Sequence, residues 1–165
     1  MSQSPTVRSY QYVNRPYEKV CQVLEGDPAA VFGRAAGAAE SRAQGVAAAL
    51  RVQLGVVEVG AEVNVEVEEV REEAGTATAP QATRLRLKWE AARNKGLFPV
   101  MRAELAAYPL TARETQLDFS GEYRPPLGPL GRAVDALVAH RLAEAAVHRF
   151  LEEVAAHLKE RLANE

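Results

Sequence analysis

The stretch Ser120–Val138, SGEYRPPLGPLGRAVDALV, changes character halfway. It begins as an alternating segment in which Phe119, Gly121 and Tyr123 share one parity, the signature of a strand with one face buried. It stalls on Pro125, Pro126 and Pro129, which can neither donate to a sheet ladder nor continue one. It then opens a helix. From Leu130 onward Val134, Leu137, Val138, Arg141, Ala145, His148, Leu151, Ala155, Leu158 and Leu162 recur at three- and four-residue spacing. About thirty residues at 1.5 Å each give a helix of roughly 45 Å. A ten-residue strand spans only about 33 Å. Such a helix crosses a whole sheet, and the proline run lifts the chain off the sheet edge so that the helix lies over the apolar face.

Upstream, the period is two. Leu117, Phe119, Gly121 and Tyr123 alternate with Gln116, Asp118, Ser120 and Glu122, and Met101, Ala103, Leu105 and Ala107 with Arg102, Glu104 and Ala106. Pro109 to Arg113 reads as the turn between them. Leu85, Leu87, Trp89 and Ala91 form an inner face whose reverse is Arg84, Arg86, Lys88 and Glu90. Val63, Val65 and Val67 are backed by Glu62, Asn64, Glu66 and Glu68. An acidic reverse beside a basic one predicts that 62–70 pairs antiparallel with 84–91, because opposite charges face one another across strands. These charges read as solvated sheet surface. Leu50, Val52, Leu54 and Val56 mark one further strand, and the parity flips at Gly60. Every well-marked strand has one apolar and one polar side, as in an antiparallel sheet with one face in water.

Before this run lies a strand, Thr6 to Val13, then two short helices. Asn14 is expected to cap the first and Pro16 to sit in its first turn, with Tyr17, Val20, Cys21 and Leu24 as its stripe. Asp27-Pro28 starts the second, which carries Val31 and Phe32.

At 165 residues the chain is expected to form one domain, 1–165. Apolar residues make up 47% and the formal net charge is −2, so no concentrated basic face argues for nucleic acid. One cysteine allows no internal disulfide, and no apolar run approaches the roughly 20 residues that span a bilayer. The expectation is a soluble cytoplasmic protein with no transmembrane segment.

Strand, two short helices, a run of antiparallel strands, long terminal helix: this order, with Asp27-Pro28 and GEYRPPLGPLGRAVDAL, resembles the START-like helix-grip superfamily, also called SRPBCC. The last stretch is similar to its polyketide cyclase/dehydratase-like members. The resemblance covers nearly the whole chain. It implies an α+β helix-grip fold, a curved antiparallel sheet of about six strands wrapped on the C-terminal helix around an apolar cavity. It carries over no catalytic residue.

The expected ligand cavity is lined by Trp89, Leu105, Phe119 and Tyr123 from the strands and by Leu137, Arg141, Ala145 and His148 from the helix. Leu97, Phe98 and Leu130 are expected at its mouth. At 100° per residue Arg141 and His148 sit about 20° apart, on the expected apolar stripe, while His140 lies at its edge and His157 points away into solvent. Arg141 would orient an anionic ligand end. No carboxylate falls on an inward face, no serine has a nucleophile-elbow context, and the three histidines make no metal cluster, so no cofactor and no metal are expected. Three readings stay open: a module binding a small hydrophobic or amphipathic molecule such as a lipid, isoprenoid or polyketide-like compound; a cyclase/dehydratase-type enzyme using Arg141, His148 and Tyr123; and a protein-interaction module with a filled cavity. The oligomeric state is left open by the sequence.

Overall fold

The computed structural model describes residues 5–39, 63–91, 100–124 and 136–163. In chain order these form β1 (Thr6–Val13), α1 (Tyr17–Gly26), α2 (residues 28–39), β2 (Val63–Glu73), β3 (Ala82–Ala91), β4 (Val100–Thr111), β5 (Glu114–Arg124) and α3 (Ala136–Ala163). The strands make one antiparallel sheet in the order β1-β5-β4-β3-β2, a meander from β2 to β5 with the first described strand laid against the last described one. Five strands are described where about six are expected; the stretch Leu50–Val56 lies outside the described residues.

The predicted pairing of 62–70 with 84–91 is present, with one correction. The β2–β3 register shifts between Val67 and Glu69. That bulge adds a residue and reverses the parity beyond it. Glu69 thereby swings outward to meet Arg86 at 3.1 Å, and Arg84 bridges Glu73 at 2.9 Å and Glu104 at 2.6 Å. The hairpin between β4 and β5 is also tighter than expected. Pro109 is still in register with Thr115, and only Ala112 and Arg113 turn. The proline is tolerated because the ladder shifts between Pro109 and Thr111.

Asn14 does not cap α1. Pro16 holds the cap position, and the Arg15 side chain donates to the Asn14 carbonyl and amide oxygens instead. Asp27 does cap α2, accepting from the Ala30 amide at 3.3 Å. α2 buries Val31, Phe32, Ala35 and Ala39 against the core.

α3 lies over the apolar face of the sheet. Its buried residues are Ala143, Ala146, Val147, Phe150, Leu151, Val154, Ala155, Leu158 and Leu162. Phe150 is the hub: its ring stacks on Phe32 at 5.9 Å, meets Trp89 at 5.2 Å and stands edge-on to Phe119 at 6.0 Å. Such ring pairs contribute about 0.5–1.5 kcal/mol each beyond their buried area. They close the middle of the space between sheet and helix.

Candidate functional site

Trp89, Leu105, Phe119 and Tyr123 all point inward and are buried, as their parity predicts. Antiparallel register places Trp89 opposite Met101 and Met101 opposite Tyr123, so these three form one row across β3, β4 and β5. Gly121, one inward step before Tyr123, makes room for that row. A Cβ there would lie 2.5 Å from Met101 Sδ and 3.0 Å from the Phe119 ring.

The helix presents the expected side only in its C-terminal half, where Leu151, Ala155, Leu158 and Leu162 are buried as their spacing predicts. Arg141 is exposed, the His148 side chain is 61% exposed and Ala145 is half-buried. His148 lies on the rim, with Nδ1 3.4 Å from the Ser9 hydroxyl and Nε2 3.1 Å from Glu152. Around Arg141 and His148 the buried side runs instead through Ala143, Val147, Phe150 and Val154, centred about 140° away around the helix. The physical reason is the helix's alanine content: small apolar side chains on several sides leave the phase of the stripe ambiguous, and the bulk of Phe150 decides it. Arg141 is therefore not a group of the interior. His157, expected in solvent, is half-buried, and its Nε2 has no hydrogen-bond partner among the described residues. The side chain of Leu137 and the residues Leu97, Phe98 and Leu130 lie outside those described.

The polar contact that does reach the interior comes from His140. The Tyr123 hydroxyl, on a residue 1% exposed, lies 3.1 Å from His140 Nδ1, and the two rings are 6.1 Å apart and inclined by 32°. On the other side of the imidazole, Nε2 lies 3.3 Å from Glu144 Oε1, one helical turn on. With Nε2–H directed at the Glu144 carboxylate, Nδ1 is left as acceptor and Tyr123 as donor. Burial, and secondarily the charge of Glu144, holds the Tyr123 phenol above its ordinary pKa, so it remains a neutral donor. The result is a line of three groups from the apolar interior to the surface: buried hydroxyl, half-exposed imidazole, exposed carboxylate. It can hold an oxygen-bearing group at the interior end. His140 and Glu144 were visible as an i, i+4 pair, and Phe150 as the one aromatic residue of α3. What periodicity alone did not supply was the phase that turns Phe150 inward and brings His140 to Tyr123.

A second polar knot sits under α1. Thr83 is buried, and its hydroxyl meets Tyr17 Oη at 2.7 Å and accepts from Cys21 Sγ at 3.3 Å. Burial pushes the Cys21 thiol up, which disfavours the thiolate needed of a nucleophile. Among the described residues no three His, Cys, Asp or Glu side chains are grouped to hold a metal, and no helix is long and apolar enough to cross a membrane.

No family model matches the chain, and no curated protein is similar to it. Solved structures similar to it include a protein from Thermus thermophilus, at 15% identity over 98% of this chain and 99% of that one, with a TM-score of 0.47. Others are the Zhui aromatase/cyclase of a Streptomyces species (16% identity, 96% and 95% covered, TM-score 0.47) and a START superfamily protein from Mycobacterium smegmatis (11%, 96% and 97%, 0.42). The chain's own element order, with β1 against β5, the β2–β5 meander and α3 over its inner face, is an α+β helix-grip arrangement.

Proposed function

We propose that the chain binds a small apolar or amphipathic molecule between the sheet and α3, with an oxygen-bearing end of that molecule at Tyr123 and His140. The observation that carries this reading is the Tyr123–His140 contact. It places a buried phenol and an imidazole side by side at the end of an otherwise apolar row, Trp89–Met101–Tyr123. Apolar sites with a few placed polar groups are the usual form of a small-molecule site. The Phe150 cluster bounds the site from behind, and Arg141, on the outside of the helix, takes no part. Affinity would come from buried apolar area at about 25 cal/mol per Å², less the cost of ordering the ligand, with the hydroxyl fixing its orientation.

Native mass spectrometry of the purified protein, followed by denaturation and organic extraction, tests the reading. A retained apolar compound at near-stoichiometric yield is the expected result. Titration of the emptied protein with a fatty acid, an isoprenoid alcohol and an aromatic polyketide should then saturate for at least one. Tyr123→Phe should weaken an oxygen-headed ligand about 2- to 12-fold and leave its hydrocarbon analogue unchanged. Equal losses for both would remove the anchoring role. An empty protein that takes up none of the probes would overturn the reading.

A further inference from the structure

The opposite face of the sheet carries a depression of its own, of about 700 Å³. Its origin lies in side-chain size. Ser120 of β5 and Ala106 of β4 are small residues on the outward parity, at neighbouring positions of paired strands. Longer side chains ring them: Arg8 and Tyr10 from β1, Tyr108 and Glu104 from β4, Arg84 from β3. Ala106 is buried although it faces outward, which is what a floor beneath taller neighbours requires.

The chemistry of the rim selects among ligand classes. Its formally charged members are Arg8, Arg84, Glu104 and Asp118, two of each sign, so neither an anion nor a cation meets a field of one sign. Arg84 is already committed to Glu73 and Glu104. Asp118 accepts from Tyr108 Oη at 2.9 Å and from Gln116 Nε2 at 2.6 Å, so three polar side chains are pre-aligned side by side. Tyr108 stays a neutral phenol: burial, then its bond to Asp118, push it up to about 12. Among the described residues Arg8 has no ion-pair partner. Two tyrosines, Tyr10 and Tyr12, stand 58% and 51% exposed on the edge strand with rings 5.6 Å apart, presenting aromatic surface that contributes little to the core. A hydrophobic ligand would have to desolvate this polar rim. What fits is a molecule that offers an apolar ring face to tyrosine and hydroxyls, each both donor and acceptor, to carboxylate, amide and guanidinium.

We infer that this outer depression, floored by Ala106 and Ser120 and walled by Tyr10, Tyr108, Asp118 and Arg8, is a binding site for a neutral saccharide. It stands on the far side of the sheet from Tyr123 and is independent of the function proposed there. The test is an amide NMR titration of the full chain with glucose, N-acetylglucosamine, maltose, cellobiose and lactose at millimolar concentrations. At least one should give saturable shifts centred on Tyr10, Ala106 and Asp118. Tyr10→Ala and Asp118→Asn should each raise its Kd about tenfold or more, the loss typical of a central contact, with circular dichroism unchanged. Tyr10 is exposed and the asparagine is isosteric, so both variants keep the fold testable. No saturable shift with any of the five sugars would overturn the assignment. So would shifts on the inner face only, a response to phosphate or tetramethylammonium without a response to sugars, or sedimentation showing that a second copy covers this face.

Discussion

Gly121 is the residue whose absence of a side chain does most for the site. Its neighbours Met101 and Phe119 occupy the space a methyl group would take, and both are buried. Gly121→Ala should therefore destabilise the protein by about 1–3 kcal/mol, the usual cost of overpacking a tight interior, read as a lowered urea midpoint at unchanged m-value. Because Met101 separates Gly121's strand from Trp89, the same change should perturb the Tyr123 row. At this scale the sequence was legible for the strands and only in part for the helix, where Leu151, Ala155, Leu158 and Leu162 are buried as their spacing predicts but Arg141 and His148 are not. Period-two alternation has only two phases, so Trp89, Leu105, Phe119 and Tyr123 follow once one is known to be inside. A helix has a continuous phase, and in α3 the choice between Arg141 with His148 and Phe150 with His140 turned on packing against Trp89 and Phe32, which lie far away in sequence.

At the scale of elements, caps and charge patterns were the readable signals. Opposite charges on β2 and β3 did predict a neighbour pair, because that rule concerns two strands and needs no third. The bulge at Val67–Glu69 was not readable, since nothing local distinguishes an extra residue in Glu66–Glu69 from a continued alternation. Asp27-Pro28 announced α2, and the structure gives the aspartate two roles: it caps the helix at Ala30 and lies 3.6 Å from Arg161 near the end of α3. Asp27→Ala should cost about 0.5–2 kcal/mol, almost all of it from the lost cap. The ion pair, exposed on both sides, adds little and should be the only part of the effect that salt removes. Thermal melts of the variant at low and high ionic strength separate the two.

For the whole molecule, the clearest expectation concerns alkaline pH. Tyr17, Cys21, Tyr108 and Tyr123 all hold their protons more tightly when folded, in each case first through burial. Between a group's ordinary value and its raised one, the native chain carries the proton that the unfolded chain has lost. Stability therefore falls as pH rises through that window. For Tyr108 the window runs from 10.0 to about 12. Urea midpoints measured from neutral pH upward should decline through it, and Tyr108→Phe should make the decline shallower. An unchanged slope would show that Tyr108 is equally free to ionise in both states.

The pairing of β1 with β5 has a temporal side. Partner residues such as Val13 and Thr115, or Thr6 and Glu122, are more than a hundred positions apart. On a ribosome adding about 5–20 residues per second, β1 emerges roughly 5–20 s before its partner strand exists. During that interval the edge bearing Tyr10 and Tyr12 has no ladder to join, and the closing step must bridge the largest sequence separation among the described strand pairs. The late arrival of β5, rather than the local meander, should set the pace at which a newborn chain becomes a native one.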